Sequence, residues 1–295
     1  MEIEVPWRLV EALAYACRGW NDTRSNKIRD RIFVSYRSGF IELSATNGVS
    51  AVRIDKKLTP EQEAGECTPF SIFLEPSDTY RDGLCTKIGF DPTDRNMYIS
   101  GQQVRLGSED LHTSTGVACL DPNAESPRNF SEAINGILDP LSAEVGAVHS
   151  DFTSLLHDFI GNYALVSQYG RHTMFWGTNF DKGLEAANVV VFETWNDEEV
   201  RAWYDKRYFK ALVIPPFPDA AFTYMHQINP SRPNSEGIRH DVMGFGGTCD
   251  VTDWSWCTAI ASMIPSKTNE QLETKAKAKI TRAHTRREEQ LNGEE

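Results

Sequence analysis

The feature that most restricts the fold of this chain is residues 31–58, RIFVSYRSGFIELSATNGVSAVRIDKKL. Three runs in it alternate apolar and polar side chains, and the pairs Ser38-Gly39 and Asn47-Gly48 separate them. A period of two is that of a strand with one buried face, and Asn-Gly is a strong signal for a tight hairpin turn. The stretch therefore predicts an antiparallel meander of three strands.

The elements around the meander predict an internal repeat. Leu9, Leu13 and Cys17 recur at helical spacing within 7–20, after a short predicted strand at 1–5. A second round follows the meander, with a predicted helix from Ser77 to residue 84 and predicted strands at 69–74, 87–90, 97–100 and 103–106. Residues 1–118 thus predict two copies of a unit made of a strand, a helix and three strands.

The second half of the sequence repeats this order more loosely. Predicted helices lie at 151–160 and 218–227. The predicted strands are 147–150, 163–169, 172–177, 187–193, 209–214, 238–245 and 254–263, and an acidic and aromatic insertion is predicted at 194–208.

This order predicts an α+β fold of two domains. They span residues 1–118 and 147–265, and a polar linker at 119–146 with room for one helical turn joins them. The charged, helix-prone tail at 266–295 has little apolar stripe, so we expect it to be solvated.

Composition excludes several classes of protein. No apolar run reaches the length that spans a bilayer, and the acidic start MEIEVPWRLVEA lacks the basic region of a secretion signal. The six cysteines form no CxxC pair, which predicts reduced thiols in the cytoplasm and neither a disulfide framework nor a zinc site. The net charge of -12 argues against a uniformly basic nucleic-acid binder.

Residues 1–118 resemble the DNA sliding clamps, the family of the bacterial β-clamp and proliferating cell nuclear antigen. The likeness is carried by the order of the elements, by the phrase IELSATNGVSAVRI and by the strand and helix in PFSIFLEPSDTYRDGL. It implies sheets on the outside, helices on the inside and a ring of six such domains around duplex DNA, so a two-domain chain implies a homotrimer. The implied function is that of a non-enzymatic processivity factor without metal or cofactor, which docks a polymerase and a clamp loader. A divergent, compact clamp would suit a phage or another virus.

The resemblance also implies a set of basic residues that face DNA, and these are Arg8, Arg18, Arg24, Lys27 and Arg81. The sequence departs from the family in the predicted helices 151–160 and 218–227, which contain no Lys or Arg. This departure leaves open an alternative, an interaction scaffold with the clamp fold that does not encircle DNA.

A pocket for partner peptides is the other implied site. It would lie between the domains and under the linker, at Ile134, Ile137, Leu138, Val213 and Ile214. The alternative is that these apolar side chains hold the linker against the body.

An enzyme is the third possibility. Cys249 with His240 and Asp250 could form a nucleophilic group, and Gly244, Gly246 and Gly247 could direct N–H groups at an anion. The glycines match neither a dinucleotide fingerprint nor a P-loop, so a turn between strands is the simpler interpretation.

Two further groups of residues have a chemical and a structural interpretation. His149, Asp151, His157 and Asp158 lack the spacing of a zinc motif, so we expect no metal. An aromatic group that could stack on bases, or pack within its own domain, consists of Trp195, Trp203, Tyr204, Tyr208 and Phe209. The acids at 197–199 beside it favour packing.

Overall fold

A computed structural model gives the fold. The residues it describes are 2–17, 31–37, 39–63, 70–74, 96–101, 103–106, 109–110, 117–120, 128–139, 141, 144–147, 163–179, 184–212, 221–230, 240–249 and 252–263, with the tail positions 274, 278, 281–282, 285–286 and 289–290.

The strands are β1 (Ile3–Val5), β2 (Arg31–Arg37), β3 (Phe40–Thr46), β4 (Ser50–Lys57), β5 (Phe70–Leu74), β6 (Met97–Ser100), β7 (Gln103–Leu106), β8 (Glu109–Asp110), β9 (Val117–Leu120), β10 (Glu144–Ala147), β11 (Tyr163–Asn179), β12 (Leu184–Asp205), β13 (Ala221–His226), β14 (Asn229–Pro230), β15 (Asp241–Cys249) and β16 (Trp254–Ala261). The helices are α1 (Trp7–Cys17), α2 (Pro60–Glu63) and α3 (Arg128–Leu138), and η1 (Lys206–Leu212) is a 3₁₀ helix. Among these helices, none is both long and apolar enough to cross a lipid bilayer.

The predicted meander is confirmed as β2, β3 and β4. Gly39 and Gly48 adopt positive φ angles of 79° and 88° at its two turns. The Asn47 Oδ1 atom accepts hydrogen bonds from the backbone N–H groups of Val49 and Ser50, at 2.9 and 2.8 Å. This side chain fixes the second turn and with it the register of β4 on β3.

A ten-stranded antiparallel sheet joins the two halves of the chain. Its order is β10-β13-β15-β16-β4-β3-β2-β5-β9, with β14 paired to β15. The junction is the ladder between β4 and β16, which runs from the pair Lys56–Trp254 to the pair Ser50–Ile260. We call this ladder the seam. The described residues add a four-stranded sheet, β1-β6-β7-β8, and the long hairpin β11-β12.

Two large apolar clusters form the core, and the one around α1 also contains Trp254 and Trp256 of β16. In the first half, α1 buries Leu9 and Leu13 in a cluster that includes Ile41 and Ile54 of the meander. In the second half, the hairpin packs on the ten-stranded sheet, and Ala164 and Tyr204 contact the cluster that contains Met243 and Phe245.

One polar side chain bridges the sheets of the second core. Gln168 is fully buried; its Nε2 atom donates to the His226 carbonyl at 3.4 Å, and its Oε1 atom accepts from the Ile228 N–H at 2.9 Å. Such a buried amide, bonded on both sides, fixes the hairpin against the sheet.

Four predictions for the second half are wrong. Most of the predicted helix 218–227 is strand β13, because both β10 and β15 pair with this segment. The predicted strand 209–214 begins inside η1. The predicted insertion 194–208 is mostly the continuation of β12, and the two predicted strands at 163–169 and 172–177 are the single strand β11.

The predicted linker at 119–146 has more structure than one helical turn. It contains the end of β9, the eleven-residue helix α3 and most of β10. The predicted helices 77–84 and 151–160 and the strand 87–90 lie outside the described residues.

Candidate nucleic-acid interface

The seam has two faces, and each carries a helix. Val52 and Ile54 of β4 point into the core that α1 covers. Ala51 points to the opposite face, where it packs with α3. Because side chains alternate along a strand, the two helices lie on opposite sides of one sheet.

On the α1 side, η1 packs beside α1 and against β4 and β16. Phe209 anchors η1 in the second core, where its ring meets Phe175 edge to face with centroids 6.3 Å apart. This pair of helices, α1 and η1, forms a layer that spans both halves of the chain, and we call it the helical layer.

The sequence of η1, KRYFKAL, puts three basic residues into this layer within five positions, Lys206, Arg207 and Lys210. The Arg207 Nε atom donates to both carboxylate oxygens of Asp205, at 2.9 and 3.1 Å, and Nη2 donates to one of them. Hydrogen bonding to the Asp205 carboxylate raises the pKa of Arg207. The pairing orients the guanidinium and offsets much of its charge.

Among the predicted DNA-facing residues, Arg8 lies on α1, so its backbone belongs to the helical layer, although its side chain is outside the described set. Arg18, Arg24, Lys27 and Arg81 lie outside the described residues. The basic run in η1 is missing from the prediction because residues 194–208 resemble an insertion. The signal that could have shown it is the KRYFK spacing itself.

On the opposite side of the sheet, α3 buries three residues of the predicted peptide pocket. Ile134, Ile137 and Leu138 are at most 5% exposed and pack on the seam with Phe33 and Ala259. The alternative, that they hold this segment against the body, is the role the structure shows.

A polar contact supports the same attachment of α3. The Arg53 Nη2 atom of β4 donates to the Asn135 Oδ1 atom at 2.8 Å. Val213 and Ile214 lie outside the described residues, so the peptide pocket stays a prediction.

The cysteine-dependent enzyme is ruled out in the form predicted. Cys249 is buried at the end of β15, and His240 precedes the start of the same strand. Nine residue steps of extended strand separate the two by about 30 Å, far beyond the reach of a hydrogen bond.

The predicted anion site at the glycines is also wrong. Gly244, Gly246 and Gly247 lie within β15, and strands pair with β15 on both sides. Their backbone groups belong to the ladders. They are in a strand, and the turn interpretation is wrong as well.

Two further observations concern reactive and metal-binding groups in the described part of the chain. Burial raises the pKa of the Cys257 thiol to about 12, so this thiol is a poor nucleophile at neutral pH. Over the described part of the chain, no three His, Cys, Asp or Glu side chains come close enough to hold a metal ion. His149, Asp151, His157 and Asp158 lie outside that part.

The aromatic group packs inward. Trp203, Tyr204 and Phe209 are at most 5% exposed, and the Trp203 ring meets Trp176 edge to face at 6.5 Å. These residues are therefore part of the core and do not form a stacking surface for bases. The Trp195 side chain is outside the described set.

Comparison with known proteins gives a likeness in structure only. No family model and no curated protein sequence matches the chain. A beta sliding clamp of Caulobacter crescentus with polyethylene glycol bound is similar, with a TM-score of 0.51, 11% identity, and 89% of this chain and 66% of that chain covered.

Two further solved structures give the same kind of match. For the pol III beta of the same organism the TM-score is 0.50 and the identity 12%, with 89% of this chain and 66% of that chain covered. For A. fulgidus PCNA bound to the C-terminal region of FEN-1, the TM-score is 0.48 and the identity 12%, with 90% of this chain and 99% of that chain covered. The chain spans about two thirds of the length of the C. crescentus clamps, and it has the fold of the DNA sliding clamps.

Proposed function

We propose that this protein is a sliding clamp that encircles duplex DNA, tethers a polymerase and has no catalytic activity of its own. The observation that carries the proposal is the helical layer. α1 and η1 lie side by side on one face of a sheet that runs through both halves of the chain, and the sequences of the two helices include Arg8, Lys206 and Arg207. In a ring, this face is the one that meets the phosphates.

Ring formation would use the free edges of the sheets. The ten-stranded sheet ends in β9 on one side and β10 on the other, and among the described strands neither has a second neighbour. Unpaired strand edges are templates for pairing with another chain, and a head-to-tail contact of this kind closes into a ring. With two domains per chain, six domains require a homotrimer.

Partner proteins of the replication machinery, a polymerase and a clamp loader, would dock by short peptides beside α3 in the proposed clamp. Ile134, Ile137 and Leu138 are buried, so a peptide would reach them only if α3 moved away from the seam. We place the protein in the cytoplasm of a bacterial or infected cell, and a phage or other virus is the source we propose.

One observation favours the second candidate, an interaction scaffold that does not encircle DNA. Asp205 offsets the charge of Arg207 on η1, and the chain as a whole carries a net charge of -12. Both reduce the attraction of the helical layer for phosphates.

The first experiment is the mass of the full chain in solution, measured by light scattering after size exclusion at several concentrations. A clamp gives a trimer at three times 33.2 kDa. A monomer at the highest concentration contradicts ring formation, and a dimer supplies only four domains and favours the scaffold.

The second experiment tests contact with DNA. The protein is incubated with nicked circular plasmid at a concentration where the trimer forms, and the retained protein is measured before and after the plasmid is cut once. A clamp is retained on the circular plasmid and dissociates from the linear plasmid that the cut produces.

A charge reversal on η1 tests the helical layer. Lys206→Glu is expected to lower retention several-fold, since a like charge would then face the phosphates. Lys57→Glu is the matched control, because Lys57 alternates with Ile54 and Lys56 and so lies on the opposite face of β4. An equal loss of retention on the plasmid in both variants would contradict the proposal that the helical layer faces the DNA.

A further inference from the structure

Eight described positions of the C-terminal tail are helical, and we call this part of the tail the terminal helix. The described positions are all helical and all exposed, and they are 274, 278, 281, 282, 285, 286, 289 and 290. The Thr285 hydroxyl donates to the Thr281 carbonyl at 3.1 Å, one helical turn earlier. The spacing of three and four residues means that these positions share one side of the helix.

This helix is attached to the long hairpin. The Arg201 Nη2 atom of β12 donates to the Thr281 Oγ1 atom at 2.9 Å. Closer to the start of the tail, the Met263 N–H donates to the Trp203 carbonyl at 2.8 Å. The Arg201–Thr281 bond places Thr281 beside β12, and every described position of the tail is exposed, so a solvated tail stays the prediction.

The attachment lies on the side of the hairpin that faces away from η1. Ala202 and Tyr204 belong to the core that contains Phe209 of η1. Arg201 and Trp203 alternate with them, and Trp203 packs in a separate cluster with Trp176. Because alternate residues of a strand point to opposite faces, the terminal helix and the helical layer lie on opposite sides of β12.

The exposed side of the terminal helix carries positive charge. Arg282 and Arg286 are one turn apart and both exposed. In the sequence, residues 275–287 contain six Lys or Arg and no Asp or Glu. In the sequence, Lys275 and Lys279 precede the two arginines at the spacing i, i+4, i+7, i+11 of a helical stripe, although both lysines lie outside the described residues. The described side carries the two arginines and one exposed acid, Glu289, which follows Arg286 by three residues.

The chemistry of the described side fits phosphates better than a peptide or a lipid surface. It offers the exposed guanidinium groups of Arg282 and Arg286, which bind phosphate oxygens, while the hydroxyls of Thr281 and Thr285 are already hydrogen-bonded within the protein. Peptide docking and membrane insertion both need large apolar or aromatic anchors, and none of the described exposed tail residues is one. In a chain of net charge -12, a stripe of this kind is a local site for a polyanion.

We propose that the terminal helix is a second DNA-binding surface, which holds the phosphate backbone of a duplex without reading its sequence, on the side of β12 opposite the helical layer. This surface does not depend on encirclement. It would bind a duplex segment outside the ring, such as the flanking template.

The test measures binding to a blunt linear duplex of about 30 base pairs, by fluorescence anisotropy across a range of salt concentrations. A ring slides off such a duplex, so the assay reports direct contact. Arg282→Glu combined with Arg286→Glu is expected to weaken binding about tenfold at low salt. The slope of log affinity against log salt should fall by about 1.8, or 0.9 for each phosphate that the variant no longer neutralises.

Two further variants make the result specific. Arg282→Gln with Arg286→Gln removes the charge without adding acids, and it should give the same decrease in slope. Arg286→Glu alone is compared with Lys57→Glu, since both change the net charge by the same amount and Lys57 is exposed on the body.

The proposal is overturned if the wild type does not bind the linear duplex, or if the double variants bind it as well as the wild type does. It is also overturned if the variants lose binding only to anionic vesicles. Retention on circular plasmid should be unchanged in the double variants, so failure of this proposal and failure of the proposed clamp function are separate outcomes.

Discussion

Gly244 and Gly246 show how single residues fit the second half of the molecule together. A Cβ atom on Gly246 would stand 2.8 to 2.9 Å from the ring of Tyr224, its cross-strand partner, and one on Gly244 would stand 2.5 Å from the Leu141 methyl groups. Both glycines therefore make room for a side chain that lies directly over the backbone of β15.

This packing gives a paired prediction for glycine substitutions. Gly246→Ala should lower the free energy of unfolding by about 1–3 kcal/mol, because the aromatic ring and the paired strand have little freedom to move. Gly136→Ala on α3 should raise it by up to about 1 kcal/mol, since its Cβ would meet nothing within 4 Å and alanine favours a helix. Urea unfolding measures both, and an equal destabilisation of the two variants would contradict the prediction.

The sequence could not reveal the role of these glycines. A cluster such as GFGG is compatible with a turn, an anion site or a strand, and local pattern does not distinguish them. What decides is the packing of Tyr224 and Leu141 over β15, and these two residues come from other segments of the chain. By contrast, Gly39 and Gly48 were predictable as turn residues, because their neighbours in sequence supply the whole structural reason.

At the scale of elements, the sequence predicted best where the pairing is local. The meander and the strands β6 and β7 are hairpins whose register follows from their own turns. Strand β13 has a helix-like sequence because Pro218 and Asp219 form a typical helix start. The alternation in AFTYMH favours a strand instead. The segment is a strand because it pairs with β15 on one side and with β10 on the other.

The helices of the candidate site were predictable only in part. In α3, Ile134, Ile137 and Leu138 have helical spacing, yet the Pro, Asn and Ser around them favour a linker. Burial against the seam overrides that weak local preference. For η1, the basic run is visible in the sequence, but its position beside α1 is not, because that position depends on how the two halves join.

A row of polar groups crosses three strands on the α3 side of the seam, and it gives a prediction about pH. Glu42, Asp55 and Ser255 are neighbours in register on β3, β4 and β16. Burial, and secondarily the nearby Glu42, raise the pKa of Asp55, while the hydrogen bond with Ser255 and the charge of Arg53 lower it less. The native state therefore binds this proton more tightly than the unfolded chain does.

The stability due to protonated Asp55 is fully present at pH values below the ordinary pKa of 3.8. It is lost as the pH rises through the raised pKa that Asp55 has in the native state. Asp55→Asn should remove that loss. Relative to the wild type, the variant should therefore gain stability as the pH rises above 3.8, and the gain should level off once the pH exceeds the raised native pKa of Asp55. Urea unfolding at several pH values measures the difference, and a difference that does not vary with pH would contradict the role of Asp55.

For the whole molecule, the central fact is that the two predicted domains share one sheet. The seam pairs seven residues of β4 with seven of β16. The helix α3 packs on one side of the seam, and η1 packs on the other. The Trp254 side chain links the last strand, β16, to the first strand, β1, since its Nε1 atom donates to the Glu4 carbonyl at 3.1 Å. The two halves are connected both by this ladder and by apolar packing, because Trp254 and Trp256 of β16 belong to the same core cluster as α1.

We therefore expect the full chain to unfold in a single cooperative transition, although its length would allow two independent domains. Ile137→Ala truncates a buried side chain of α3 that packs against the seam. It should lower the free energy of unfolding of the whole chain by about 2–4 kcal/mol. Tryptophan fluorescence and far-ultraviolet circular dichroism should give coincident curves for the wild type and the variant. Two separated transitions, of which only one responds to Ile137→Ala, would contradict the coupling.

The seam also has a consequence for the synthesis of the protein. β4 is complete at residue 57, while the strand that pairs with its outer edge begins at residue 254. At a ribosomal rate of roughly 5–20 residues per second, this edge waits about 10–40 s for its partner. A hydrogen-bonding edge exposed for so long is open to pairing with other chains in the cell, so the newly made first half is a natural client for chaperones until the last strand emerges.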